Sequence, residues 1–247
     1  MNSVVQRVLV FSYGTVGYVL FLGAFFYAPG FLLNMIVPKS IDSGMPTPLG
    51  EALLVNVLLL SVFALHHSAT ARPAFKTWLT KVVPQPVERS TYVLLSSLLF
   101  CLLFWQWRPM PANVWQVDHP VGASLLTGFA LAGWLLVFYA SLLIDHFDLF
   151  GMRQVTLYLR RTEYTLKEFM TPSLYKYMRH PLYLGWVVFF WATPRMTAGH
   201  LLFAVVATAY IFVAIRWEER DLVRVLGDEY RRYREATPMI LPWLRKR

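Results

Sequence analysis

Residues 120–144 read PVGASLLTGFALAGWLLVFYASLLI and contain no Asp, Glu, Lys or Arg. A helix that crosses the hydrocarbon core of a bilayer needs roughly 20 mainly apolar residues, so this stretch predicts a membrane-spanning helix. We expect three further spans, in residues 8–38, 52–71 and 90–107, which also lack these four residue types. The first is expected to end as a helix near Pro29-Gly30. Its apolar part is too long for the core of a signal peptide and predicts an anchor.

A fifth apolar region, residues 181–215, is interrupted by Pro194-Arg195. This break predicts a helical hairpin with a short arm in residues 182–193 and a full-length arm in residues 197–215. The fold class that follows is an all-α integral membrane protein with five to six membrane-entering helices, of which the last two form the hairpin.

The composition supports a membrane location. Hydrophobic residues make up 57% of the 247 residues and charged residues 15%, whereas a soluble domain carries about 25% charged residues. This excludes an ordinary water-soluble protein. The single cysteine, Cys101, can form no intramolecular disulfide, and its place inside an apolar stretch predicts a core residue.

The net charge of +9 follows from basic residues that border the predicted spans. If the segments flanking six crossings are assigned alternately to the two sides, one side holds 20 Lys and Arg and the other holds 3. Basic residues concentrate on the cytoplasmic side, so both termini are predicted to be cytoplasmic. We therefore expect membrane lipid as a partner and no nucleic acid, and no feature of the sequence indicates an obligate protein partner.

The first motif with chemical potential is residues 179–185, RHPLYLG. Proline is preferred in the first turn of a helix, so a helix is predicted to begin at Pro181. A helix N-terminus presents free N–H groups and a partial positive charge, and Arg179 and His180 stand directly before it. We interpret the segment as an anion site; the alternative is a basic stop at the membrane interface.

The second motif is residues 218–242, EERDLVRVLGDEYRRYREATPMILP. Its apolar residues recur at three- and four-residue spacing and predict one face of a single cytoplasmic helix; they are Leu222, Leu226, Tyr230 and Tyr233. Glu218 and Glu219 stand at the membrane boundary, where a carboxylate without a partner is costly. The alternative is that these carboxylates only pair with Arg216 or Arg220.

Together, the two motifs resemble the isoprenylcysteine carboxyl methyltransferase family of integral-membrane methyltransferases over about the last 100 residues, with Leu226 where phenylalanine usually precedes the glycine. The resemblance implies that S-adenosylmethionine is the cofactor and that it binds on the cytoplasmic side, at a loop and a C-terminal helix. The implied contacts are His180, Pro181, Leu182, Tyr183 and Glu218, with Arg179 and Glu219 beside them, Tyr175 at a further position and Gln154 at a less closely matched one.

The N-terminal half resembles a narrower group. Residues 66–68, HHS, end the second predicted span, and residues 144–154, IDHFDLFGMRQ, follow the fourth. With the C-terminal motifs this pattern is similar to the bacterial methanethiol S-methyltransferase family. The resemblance implies methylation of a small thiol to dimethyl sulfide in the bacterial inner membrane. It also implies one domain over residues 1–247, with a four-helix core in 1–144 and a cofactor-binding part in 145–247.

A thiol acceptor indicates where a base is needed. The thiolate is the nucleophile, and a simple thiol has a pKa of about 8.5 or higher, so a histidine that titrates near neutrality is the natural base. We expect His146, oriented by Asp145 or Asp148, or else His67 with its neighbour His66. For Asp145, His146 and Asp148 the alternative is a solvated helix end, and for His66 and His67 it is an anchor at the membrane interface.

Three other interpretations stay open. His66, His67, His146 and Asp148 are acceptable metal ligands, but their spacing matches no known ligand signature, and we expect no metal. A second interpretation is that the acceptor is a lipid or a prenylated cysteine. The third is a non-enzymatic membrane protein, or one that uses the histidines to hold haem.

Overall fold

The computed structural model describes residues 3–241. Within this part the chain forms ten α-helices, two short strands and two turns of 3₁₀ helix, at Gln85–Val87 and Ser173–Lys176. In chain order the elements are α1 (Val4–Leu33), α2 (Leu49–Thr70), α3 (Pro73–Leu79), α4 (Glu88–Gln106), β1 (Asn113–Gln116), α5 (Pro120–Ile144), α6 (His146–Leu149), α7 (Met152–Leu159), α8 (Pro181–Trp191), β2 (Arg195–Thr197), α9 (Ala198–Leu226) and α10 (Asp228–Ala236).

Five of the described helical segments are long and apolar enough to cross a membrane, and α8 is a shorter apolar helix. The prediction of an all-α integral membrane protein is therefore confirmed. The bounds of α5 coincide with the predicted stretch 120–144, and those of α2 and α4 lie within three residues of the predicted spans. The long segments are Val4–Leu33, Leu49–Thr70, Gln85–Gln106, Pro120–Ile144 and Ala198–Leu226.

The predicted end of the first helix at Pro29-Gly30 is wrong. Helix α1 continues through Pro29 to Leu33, and Asn34 ends it in the left-handed conformation (φ 56°), with its N–H donated to the carbonyl of Gly30. A proline removes one backbone donor, but helices in membranes tolerate this where neighbouring structure compensates. The termination signal was therefore the asparagine and not the proline.

The hairpin has the predicted arms with different limits. Its tip contains β2, which pairs antiparallel with β1 in a small sheet that was not predicted from the sequence. The second arm does not stop at residue 215, because α9 continues through Glu218 and Glu219 to Leu226.

The predicted single cytoplasmic helix after the membrane is also wrong. Gly227 (φ 61°) separates α9 from α10, a conformation that glycine adopts at little cost. Leu222 and Leu226 therefore lie on α9, whereas Tyr230 and Tyr233 lie on α10. Pro242 of the second motif lies outside the described residues.

The chain divides into two compact units. The first unit contains residues 1–110 and 145–166, and the second contains residues 111–144 and 167–247. In the first unit α1 packs against α4 and α7; in the second, α5 packs against α8. The segment 145–180, predicted from the sequence to be a loop, contains α6 and α7. A single domain divided at residue 144 stays a prediction.

Two glycines allow α5 and α8 to approach closely. A Cβ added at Gly133 would lie 2.8 Å from the Gly185 carbonyl oxygen and 2.8 Å from the Phe189 nitrogen. Small residues at such crossings let the helix backbones meet. The two glycines therefore set the position of α8 against α5, and with it the position of the first motif, whose last residues form the start of α8.

We expect Gly133→Ala to lower the thermal stability of the detergent-solubilised protein, because overpacking costs about 1–3 kcal/mol. The matched control is Gly128→Ala on the same helix, where an added Cβ meets no atom within 4 Å. The melting temperature is measured by circular dichroism. Equal melting temperatures for the two variants would contradict this close packing.

Candidate active site

The two C-terminal motifs meet in the second unit at the carboxylate of Glu219. One oxygen, Oε1, accepts hydrogen bonds from Nε of Arg179 at 2.7 Å and interacts with Nε2 of His180 at 3.0 Å. All three side chains are at least nine-tenths buried. A buried ion pair is favourable when its remaining polar atoms are also satisfied, and this one joins α9 to the residues that precede α8.

The backbone after α10 completes this cluster. Nη1 of Arg179 donates to the carbonyls of Arg234, at 2.9 Å, and of Thr237. The backbone N–H groups of Arg179 and His180 donate to the carbonyls of Pro238 (2.9 Å) and Met239 (3.0 Å). The segment 237–239 thus runs beside residues 179–180, and we call these contacts the tail clamp. Thr237 and Met239 were not among the predicted site residues.

Glu218 has a different environment from its neighbour. Its Oε2 accepts a hydrogen bond from the Tyr183 hydroxyl at 2.8 Å, and the residue is only half-buried. Within residues 3–241 it forms no ion pair. The alternative in which Glu218 and Glu219 merely pair with Arg216 or Arg220 is therefore not what the structure contains. Glu218 keeps acceptor capacity for a cation.

Tyrosines surround the cluster. Tyr175 is buried in the 3₁₀ turn, and its backbone carbonyl accepts the Tyr233 hydroxyl at 2.6 Å. Burial, with a smaller effect of Glu218, raises the pKa of Tyr175. Burial likewise raises the pKa of Tyr233 to about 12. These hydroxyls are therefore protonated hydrogen-bond donors at neutral pH.

The predicted base His146 lies in the first unit and is buried. Its Nε2 lies 2.8 Å from the Tyr18 hydroxyl, and its ring centroid lies 4.8 Å from that of Phe150. Burial lowers the pKa of His146 below its usual value, and Asp145 partly offsets this effect. The ring is therefore neutral at pH 7. Tyr18 was missed because it precedes His146 by 128 positions.

The two predicted orienting carboxylates have separate roles. Asp145 Oδ1 accepts the backbone N–H of Asp148 at 3.2 Å and caps α6. The Asp148 carboxylate forms an ion pair with Arg153 (3.1 Å) and accepts hydrogen bonds from Gln154 and Tyr164, each at 3.3 Å. Asp148 therefore holds α7 and residue 164 in place. Of the two, Asp145 is the carboxylate that acts electrostatically on His146.

Gln154, the less closely matched cofactor position, lies on α7. Its Nε2 donates to Asp148, which fixes the amide, whereas its Oε1 is buried and has no hydrogen-bond partner in the described part of the chain. A buried polar atom without a partner is costly. This oxygen is therefore available to accept a hydrogen bond from a ligand.

The other predicted pair, His66 and His67, ends α2. Nε2 of His67 lies 2.6 Å from the Tyr92 hydroxyl, and the Arg89 guanidinium lies 5.4 Å from the Tyr92 ring centroid. His66 is half-exposed, and its two ring nitrogens have no hydrogen-bond partner within residues 3–241. In this same range no three His, Cys, Asp or Glu residues are grouped so that they could hold a metal ion.

Comparison with known proteins places the chain in a family. It is 51% identical over 244 residues to methanethiol S-methyltransferase 1 of Bradyrhizobium diazoefficiens, covering 99% of this chain and 86% of that protein. It is also 51% identical over 238 residues to the methanethiol S-methyltransferase of Mycobacterium tuberculosis, covering 96% and 98%.

A more distant relative is a nurim homolog of Drosophila pseudoobscura pseudoobscura, 30% identical over 240 residues, with 87% of this chain and 90% of that protein covered. No family model and no solved structure matches the chain. The structure is that of an all-helical membrane protein in which the two motifs are joined. Because the identity is high over nearly the full length of both chains, this chain belongs to the methanethiol S-methyltransferase family.

Proposed function

We propose that the protein methylates methanethiol, with S-adenosylmethionine as the donor, to give dimethyl sulfide, S-adenosylhomocysteine and a proton. The names of its relatives support the acceptor. The observation that carries the proposal is that the two C-terminal motifs are joined at Glu219. Because Glu219 binds the basic residues of the first motif, its neighbour Glu218 is half-buried beside Tyr183 and has no cationic partner in the described residues.

The residues present fit the proposed donor. Its ammonium group suits the carboxylate of Glu218, and its carboxylate suits the N-terminus of α8, where Pro181 occupies the first turn and Leu182 and Tyr183 follow. We propose that Tyr175 lines this place. Arg179 and His180 are engaged by Glu219, so we assign these three a positioning role. In the first unit, the buried Oε1 of Gln154 can accept a hydrogen bond from a ligand.

S-adenosylmethionine, when bound, supplies an electrophilic methyl group to the acceptor sulfur. We propose that His146 accepts the thiol proton, since its burial keeps the ring neutral and ready to take one. Asp145 would stabilise the imidazolium that then forms. Tyr18 would hold the ring through Nε2. His67, held by Tyr92 in the same manner, is the second candidate, with His66 beside it.

The direct test is incubation of the purified protein with labelled S-adenosylmethionine and a panel of acceptors, followed by gas chromatography of the headspace. We expect dimethyl sulfide from methanethiol, and no labelled lipid or prenylcysteine. Protein boiled before the assay is the control. Labelled lipid or prenylcysteine without dimethyl sulfide would overturn the proposed acceptor, and a Soret absorbance band in the purified protein would favour the haem interpretation.

We also propose that the protein resides in the bacterial inner membrane with both termini in the cytoplasm. The unequal distribution of basic residues supports this orientation. A reporter fused after Lys39 is expected to be periplasmic, whereas one fused within residues 160–167 is expected to be cytoplasmic. Alkaline phosphatase is active when it is fused on the periplasmic side, whereas green fluorescent protein fluoresces when it is fused on the cytoplasmic side. The same side for both fusion points would contradict the proposed orientation.

A further inference from the structure

Two adjoining cavities in the first unit share Lys39 as a wall. One, of about 310 Å³, is bordered by Lys39, Arg108, Trp107 and Glu51, where the loop after α1 meets the end of α4. The other, of about 400 Å³, is an apolar groove along α1, with Lys39 at one end and Gly23, Cys101 and Trp105 among its walls. Lys39 therefore lies in the walls of both a cavity that contains charged residues and a groove of hydrocarbon character.

The first cavity is lined by two cations, Lys39 and Arg108, and by one carboxylate, Glu51, so its net charge is positive. Neither Lys39 nor Arg108 forms an ion pair within residues 3–241, and the Arg108 guanidinium has no hydrogen-bond acceptor there. The only bond of the Lys39 ammonium in this range is to the Ser43 carbonyl. Burial and the charge of Arg108 lower the pKa of Lys39. Because these two positive charges repel each other, an anion bound in the cavity would be favourable.

The backbones of Lys39 and Arg108 are held by hydrogen bonds from two side chains. The side chain of Asn56, fully buried, accepts the backbone N–H of Arg108 at 2.9 Å and donates to its carbonyl at 2.8 Å. The Tyr27 hydroxyl donates to the Lys39 carbonyl at 2.8 Å and accepts its N–H at 3.2 Å. The backbones that carry both cations are thus fixed independently of any ligand.

The groove has the shape for a hydrocarbon chain. It follows α1 from Leu20 to Tyr27, roughly 10 Å at 1.5 Å per residue. At Gly23 an added Cβ would meet no atom within 4 Å, so the missing side chain leaves the space open. Cys101, expected from the sequence to be a core residue, is instead half-buried and faces this groove.

We propose that this place binds an anionic phospholipid of the phosphatidylglycerol class, with its phosphate at Lys39 and Arg108 and one acyl chain in the groove beside Gly23. Lysine and arginine side chains bind phosphate oxygens through charge-assisted hydrogen bonds. Glu51 is exposed at the rim, so the two cations dominate and the site retains a positive charge. This selects an anionic lipid over a zwitterionic one.

The test is native mass spectrometry of the full-length protein titrated with dioleoyl phosphatidylglycerol and, separately, dioleoyl phosphatidylethanolamine. We expect the phosphatidylglycerol to bind more tightly. Each charge-assisted contact to the phosphate contributes roughly ten-fold in affinity, so Lys39→Gln with Arg108→Gln should weaken binding roughly 100-fold. The charge control is Arg195→Gln, the remaining basic residue assigned to the less basic side, which should leave binding unchanged.

A second pair of variants separates the groove from the headgroup cavity. Gly23→Leu should fill the groove and weaken dioleoyl phosphatidylglycerol while leaving the six-carbon dihexanoyl form unaffected. Gly128→Leu, another open helical position, serves as its control. Each of three results would overturn the proposal. They are equal affinity for the two headgroups, an equal loss of affinity in Arg195→Gln and in the double variant, and unchanged affinity of Gly23→Leu for the long-chain lipid. Circular dichroism confirms that the variants are folded.

Discussion

Glu218→Ala is expected to weaken the binding of S-adenosylmethionine by about 10- to 100-fold. A hydrogen bond to a charged group contributes about 1.5–3 kcal/mol, and the half-buried Glu218 carboxylate has the Tyr183 hydroxyl as its only hydrogen-bond partner in the described residues. Its second oxygen therefore has capacity for an ammonium. Isothermal titration calorimetry of the detergent-solubilised protein measures the effect.

Two variants show whether charge carries this effect. Glu218→Gln retains an oxygen that accepts from Tyr183 and removes the charge, so it should lose nearly as much affinity as the alanine variant. Tyr183→Phe removes only the hydrogen bond and should lose less. An unchanged affinity in Glu218→Ala would contradict the proposed place of the ammonium.

The neighbouring carboxylate should respond differently. Glu219→Ala leaves Arg179 buried without its counter-charge, a change that typically costs about 3–5 kcal/mol of folding free energy. The variant is thus expected to lower the melting temperature as well as the affinity, whereas Glu218→Ala lowers the affinity alone. The contrast between adjacent glutamates separates binding from positioning.

His146→Ala is expected to lower kcat by about 100-fold or more, because a positioned general base contributes about 10²–10⁴-fold. The pKa of His146 is held below its usual value by burial, so the neutral form predominates at pH 7. In the wild type the rate should fall as the pH is lowered through the pKa of this histidine, since the protonated ring accepts no proton. Headspace dimethyl sulfide is measured from about pH 5 to about pH 9, a range that brackets the ordinary pKa values of a histidine and a thiol.

The pH profile of the variant distinguishes a base from a positional residue. Near the pKa of the thiol itself, about 8.5 or higher, the thiolate forms without assistance, so the defect of His146→Ala should shrink there. A defect that is constant with pH would indicate a positional role. A wild-type kcat in His146→Ala, with a defect in His67→Ala, would transfer the role of base to His67.

Tyr18→Phe is the matched probe of positioning. It removes the hydroxyl 2.8 Å from Nε2 of His146 and leaves the ring packing. We expect a smaller loss of kcat than in His146→Ala, with a shifted acid limb in the pH profile. A purely structural hydroxyl would leave that limb in place.

The spans were predictable because each depends on a local, continuous property. Charge-free stretches of sufficient length located the five long helices that the described part of the chain contains, and α5 to the residue. The helix ends at Asn34 and Gly227 were missed, because a single residue in a left-handed conformation ends a helix without changing the hydrophobic pattern. The β1–β2 pairing was missed because it joins residues some 80 positions apart.

In the candidate site, too, some residues could be predicted from the sequence and others depended on contacts between distant parts of the chain. The resemblance selected residues on both sides of the ion pair formed by Arg179 and Glu219, which lie 40 positions apart. It could not distinguish the two adjacent glutamates, because only the structure shows that Glu219 is buried and Glu218 half-buried. Tyr18 and Tyr92, which hold the two candidate histidines, carried no signal because a tyrosine within a largely apolar stretch is common in membrane proteins.

The tail clamp has a consequence for the order of events during synthesis. Residues 179 and 180 depend on the carbonyls of residues 238 and 239 for their backbone hydrogen bonds. Residues 238 and 239 leave the ribosome only after the five long helical segments found within residues 3–241 have been made. The nascent chain can therefore insert these segments while residues 179 and 180 still lack their backbone partners, and the tail clamp forms only once residue 239 has been translated. A stalled chain that ends at residue 230 would be inserted and yet lack the carbonyls to which Arg179 and His180 donate.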